Sequence, residues 1–106
     1  MVAGGALVKR SEAQTVIRER AARSERIVVV PHALTRMRER RIDFLDMQRC
    51  LRGGKVTQGP YVPSDSLTDE WRYDVEAIVD GEWLRVVVEL PDDPPNVIVV
   101  TVIVVE

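Results

Sequence analysis

The chain has 106 residues, 45% of them hydrophobic and 30% charged, with a formal net charge of −2. That length holds one domain, and the composition is globular rather than disordered or fibrous. A polycation that coats nucleic acid is excluded.

The net charge is a sum of unlike halves. Residues 1–55 carry 13 Lys/Arg against 6 Asp/Glu, a balance of +7, whereas residues 56–106 carry 2 against 11, a balance of −9. A single cysteine, Cys50, leaves no intrachain disulfide and points to a reducing, cytoplasmic setting. Met1 to Val8 lacks the basic start and long apolar stretch of a signal peptide. Val97 to Val105 is too short to span a membrane as a helix, which takes about 20 residues.

Ala6 to Arg23 contains no Gly or Pro and is rich in Ala, Arg, Glu and Gln, so it reads as a first helix with a thin apolar stripe. Arg26 to Val30 is a short strand stopped by Pro31. His32 to Arg41 is a second helix whose core positions are Ala33, Leu34 and Met37. Asp43 has the character of an N-cap, with Asp46 as its capping-box partner. Phe44, Leu45, Met47 and Leu51 then supply the apolar face of a third helix, closed by Gly53-Gly54 as C-terminal glycines.

After Gly54 the period becomes two. Lys55 to Val62 is a strand interrupted at Gly59-Pro60, and Tyr61 to Thr68 is a polar loop. Asp80-Gly81 is a two-residue hairpin turn, and it sets the register of the strands on either side. Ala77 then faces Leu84, Val75 faces Val86, Tyr73 faces Val88 and Trp71 faces Leu90. On the opposite face Glu76 meets Arg85 and Arg72 meets Glu89. Val97 to Val105 is so uniformly apolar that it should lie centrally with both faces covered. The expected fold is α+β with a mostly antiparallel sheet. Helices two and three should cover one face, and the first helix or a partner chain the other.

Phosphate-binding loops, nucleophile elbows and paired-cysteine spacings are absent, and one His with one Cys does not make a zinc site within a chain. Cys50 reads as a structural thiol. His32, Arg36 and Arg40 lie at i, i+4 and i+8 and form one stripe on the second helix. Histidine moves protons near neutral pH, and arginine grips phosphate and steadies charge on a phosphoryl group. RNA cleavage by the 2′-hydroxyl uses both capacities. The same spacing also suits a solvated, arginine-rich helix face. Arg72 and Arg85 each face a glutamate, so a structural ion pair is their default role. Trp83 and Ile78 pair on the face opposite the core and suit a partner surface.

The segment His32-Ala33-Leu34-Thr35-Arg36-Met37-Arg38-Glu39-Arg40 resembles the H-A-x-x-R-M-x-x-R signature of a bacterial domain-of-unknown-function family. Gly54-Lys55-Val56 and Val99-Val100-Thr101-Val102 stand where that family has its G-x-V and V-V-T-V segments. The resemblance covers about residues 26–105 and makes residues 1–25 an N-terminal helical extension. The family looks related to RelE-like and barnase/EndoU/colicin-type ribonucleases, many of them toxins paired with antitoxins. The resemblance implies a RelE-like fold: a short strand, two helices and a four- to five-stranded sheet, with the first helix added. It implies His32, Arg36 and Arg40 as catalytic residues and Arg72, Arg85 and Thr101 as substrate-binding residues. The expected activity is toxin-like RNA cleavage without metal or cofactor, with RNA and an antitoxin as partners and no membrane. The alternative is a non-catalytic interaction module or homodimer on the same fold.

Overall fold

The computed structural model describes residues 9–63 and 71–106. Its elements, in chain order, are α1 (Arg10–Ala21), β1 (Ile27–Val29), α2 (Pro31–Arg40), α3 (Phe44–Gly53), β2 (Lys55–Tyr61), β3 (Arg72–Val79), β4 (Glu82–Glu89) and β5 (Val97–Val104). A single 3-10 turn, Ser24–Arg26, leads into β1. The fold is α+β with one five-stranded sheet in the order β1-β5-β4-β3-β2. β1 runs parallel to β5, and the other neighbours are antiparallel. None of the described helices is long and apolar enough to cross a membrane. The start expected for the first helix at Ala6, and most of the Tyr61–Thr68 loop, lie outside the described residues.

The hairpin takes the register set by its turn. Val79 pairs with Glu82, Ala77 with Leu84, Val75 with Val86, Tyr73 with Val88, Glu76 with Arg85 and Arg72 with Glu89. Asp80 and Gly81 both have positive φ, 50° and 81°, as a type I′ turn requires. Arg49 braces the turn from α3, lying 3.5 Å from Asp80 and 3.8 Å from Asp46.

Alternation places Tyr73, Val75, Leu84, Val86, Val88, Val97, Val99 and Val102 in one buried cluster. Ala13, Ile17 and Ala21 of α1, Ala33 and Met37 of α2, and Met47, Cys50 and Leu51 of α3 complete it. All three helices therefore bury their apolar positions against the same sheet face. This corrects the expectation that the first helix covers the opposite side. β5 lies between β1 and β4, but Ile103 on its other face is exposed, so it is interior in the sheet without being covered twice.

Helix faces also differ from expectation in detail. Leu34, Phe44 and Leu45 are exposed, whereas Gln48 and Cys50 are buried. Gln48 is held by its side-chain amide, which donates to the Ala21 carbonyl at 2.8 Å and ties α3 to α1. The Asp43–Asp46 capping box is present in full, so the start of α3 has its orphan N–H groups satisfied. α2 begins at Pro31, whose missing N–H costs nothing at the first helical position, and ends on Arg41 in the left-handed region.

Gly54 is not a left-handed C-terminal glycine, since its backbone is extended. Its small size matters for another reason: a Cβ would lie 2.5 Å from the Cys50 carbonyl oxygen and 2.6 Å from that of Glu76. α3 and β3 approach closely enough there to admit no side chain. The thiol of Cys50 lies in the same packed region, 3.6 Å from the Val75 carbonyl oxygen. Burial pushes it up to about 12, as an inert structural thiol should be.

Candidate functional site

Pro31 ends β1 after only three pairs with β5, the last being Val29 with Val99. The Val30 N–H adds one bond to the Val99 carbonyl at 3.2 Å, and the chain then turns into α2. From Thr101 to Val104, β5 pairs with β4 alone. α2 takes the place that a longer β1 would have filled. Ala33 and Met37 enter the core, which leaves the neighbouring stripe to look along the strand edge.

The result is a groove of about 250 Å³ lined by His32, Arg36 and Arg40 from α2 and by Thr101, Val102, Ile103 and Val104 from β5. Four consecutive strand residues can line one groove only along an edge, because side chains alternate between faces. The three helix residues are exposed and Thr101 is half-buried. Arg36 lies 3.4 Å from Glu39 on its own helix, and Arg40 lies 3.7 Å from Glu106. Both are open pairs of the kind worth about 0–1 kcal/mol, so an incoming anion with two oxygens competes for either guanidinium. His32, the chain's single histidine, sits in the first turn of α2, where the helix dipole favours anions.

The structure thus brings together His32, Arg36, Arg40 and Thr101. It does not bring Arg72 or Arg85 to them. Those two arginines lie on the helix-free face of β3 and β4. Arg72 Nε donates to Glu89 Oε2 at 3.0 Å, and Arg85 Nε donates to Glu76 Oε2 at 3.2 Å. Burial alone would raise the Glu76 carboxyl, but hydrogen bonds from Thr57 and Trp83 and the Arg85 guanidinium outweigh it. They hold the carboxyl below the usual carboxylate range.

Two features were not read from the sequence, one at the site and one away from it on β3. One is the strand edge itself, whose signal was the mismatch between a short β1 and a long β5. The other is Asp74, which alternation places on the outer face yet which is buried. It accepts a hydrogen bond from the Tyr61 hydroxyl at 2.5 Å. Among the described residues no group of three or more His, Cys, Asp or Glu side chains is placed to hold a metal ion.

A family profile described as a domain of unknown function, DUF4258, matches residues 29–104. The chain belongs to that family. The match begins in β1 and takes in every groove residue. No curated protein and no solved structure shows significant similarity to the chain.

Proposed function

We propose that the chain is a RelE-like endoribonuclease of toxin–antitoxin type that cleaves RNA at the α2–β5 groove without a metal ion. The observation that supports this reading most is the convergence of His32, Arg36, Arg40 and Thr101 on one groove, with a proton-transfer group beside two guanidinium groups. In the proposed reaction the His32 imidazole takes the proton of a ribose 2′-hydroxyl. The freed oxygen forms a bond to the adjacent phosphorus, and the bond from phosphorus to the 5′-oxygen breaks. Arg36 and Arg40 stabilise the negative charge that gathers on the phosphoryl oxygens. The Thr101 hydroxyl donates to one of those oxygens and sets the phosphate against the strand edge. The departing 5′-oxygen takes its proton from the imidazolium or from water. The products are a 2′,3′-cyclic phosphate and a free 5′-hydroxyl. An antitoxin would act by covering the same groove.

The test is incubation of the purified protein with a synthetic RNA in EDTA, beside the His32→Ala variant. Cyclic-phosphate ends are expected, with a loss of about 10²–10⁴-fold in the variant. Cleavage that is absent, equal in the two proteins or abolished by EDTA would overturn the mechanism.

A further inference from the structure

An antiparallel sheet can leave one face to water when that face is polar. The helix-free face here is polar only in part. Ile78 and Trp83 are cross-strand partners on it, 68% and 46% exposed. Ile103 of β5, 39% exposed, pairs with Arg85, the next outward residue of β4. α1 packs on the opposite face with α2 and α3, so no described helix covers these side chains.

The charged residues of the same face are ordered by sign. β3 carries Arg72 and then Glu76, and β4 carries their partners Glu89 and Arg85. The signs therefore alternate both along and across the strands. Each pair closes within the chain, Arg72 to Glu89 at 3.0 Å and Arg85 to Glu76 at 3.2 Å, with the four side chains between 12% and 31% exposed. Between the two rows Asp74 and Val87 are buried, Asp74 as the acceptor of the Tyr61 hydroxyl. Trp83 Nε1 donates to Glu76 Oε1 at 2.7 Å, so the polar atom of the indole is also satisfied. Covering this region strips little water from charge and leaves these groups bonded.

The sign pattern selects the occupant. Lys55, Arg72 and Arg85 balance Asp74, Glu76 and Glu89, so the face as a whole attracts neither a nucleic acid nor an acidic segment. It does fit itself. A second copy turned over about an axis parallel to the strands exchanges the places of β3 and β4. Arg72 then lies over Glu89 of the second copy, Glu76 over its Arg85 and Ile78 over its Trp83, and each contact occurs twice. The strands of the two sheets stay nearly aligned, as packed sheets prefer. The area suffices as well. Strands β2 to β5 have seven or eight residues each. They cover roughly 19 by 26 Å, about 500 Å² per copy, which brings the pair to the ~1,000 Å² that a specific interface needs.

We infer that the helix-free face docks a second copy of this chain, back to back, about a two-fold axis along β3 and β4. The inference does not depend on RNA cleavage.

Sedimentation of the full chain tests it. The native protein should be dimeric at micromolar concentration. Ile78→Glu, a change at an exposed position, should raise the dimer dissociation constant about tenfold or more, because it buries an unpaired charge against an indole. Two charge variants then separate contacts between copies from contacts within one. Arg72→Glu sets glutamate over glutamate across the axis, and Glu89→Arg sets arginine over arginine, so neither should self-associate. Mixed in equal amounts they should form a heterodimer, because the glutamate introduced in one faces the arginine introduced in the other. Mixing leaves the like-charge pair inside each chain unchanged, so a purely intrachain role for these residues predicts no heterodimer.

A native protein still monomeric at hundreds of micromolar would overturn the inference. So would a dimer that Ile78→Glu leaves intact, or folded charge variants that fail to pair when mixed. If the charge variants do not fold, Ile78→Glu against the native protein decides. A native dimer of this kind that does not cleave RNA would sink the nuclease reading alone. Cleavage by a protein that stays monomeric would sink this inference alone.

Discussion

Along β2, at one edge of the sheet, backbone groups are taken up by side chains of α1. Gln14 Oε1 accepts from the Val56 N–H at 3.0 Å, Arg18 donates to the Gly54 carbonyl at 2.9 Å, and Arg10 donates to that of Gly59 at 3.1 Å. Near the other edge β1 is short, and β5 from Thr101 to Val104 has only a grooved helix face beside it. Unpaired strand edges invite association, and covering one with polar side chains is a way to prevent that. The chain covers the β2 edge with α1 side chains, away from the α2–β5 groove. It leaves the edge with a histidine and two arginines open. The two edges also differ in the kind of charge they use. Arginines at the closed edge are spent on carbonyl oxygens, whereas those at the open edge hold only exposed carboxylates that a ligand displaces.

The contrast can be broken from either side. The largest effect is expected at the open edge. Arg36→Ala combined with Arg40→Ala should lower RNA cleavage by about 10²–10³-fold, as loss of charge-stabilising donors does. The thermal midpoint should move little, because both side chains are exposed. A cleavage rate within about threefold of the native protein would show that the stripe is only a solvated helix face. At the closed edge the largest effect is on stability. Gly54→Ala forces a Cβ against two backbone carbonyls, and denaturant melts should show a loss of about 3 kcal/mol or more.

Gln14→Ala is smaller. It strands the Val56 N–H at a part-buried position, which costs about 1–2 kcal/mol in the same melts. It should also raise the tendency to associate on concentration, without altering cleavage. The smallest effect concerns pH. The Glu76 carboxyl is lowered in the folded protein, so its contribution is present above the ordinary carboxylate range and is lost as pH falls through its folded value. Native stability should fall less steeply on acidification in Glu76→Gln than in the native protein. Parallel curves would show that the Thr57–Glu76–Arg85 bonds do not couple to folding.

Local pattern was legible wherever the controlling residues are close in sequence. The hairpin register followed from Asp80-Gly81 and the alternation beside it, and the capping box from Asp43 and Asp46. Three groove residues shared a stripe because their spacing requires it. Thr101 was reachable only through the resemblance, since nothing in its own segment distinguishes it from the valines around it. What failed was the relation between elements. A thin stripe of Ala13, Ile17 and Ala21 says that α1 has a buried side, but not which sheet face receives it. Leu34, Phe44 and Leu45 have core chemistry and exposed positions, since the side of each helix that meets the core is taken by Ala33 and Met37 in α2 and by Met47, Cys50 and Leu51 in α3. Alternation puts Asp74 on the outer face, and its burial depends on a tyrosine from β2 that the pattern does not reveal.

The change of chain geometry at Pro31 also sets a length scale. Beyond it the chain climbs about 1.5 Å per residue in α2, whereas β5 alongside advances about 3.3 Å per residue. Nine helix residues, from His32 to Arg40, therefore run beside only four strand residues. Each step of four along the helix moves about 6 Å along the groove. The imidazole and the two guanidinium groups are spaced like the marks of a ruler, and a ligand that engages all three must repeat its own polar groups on that scale.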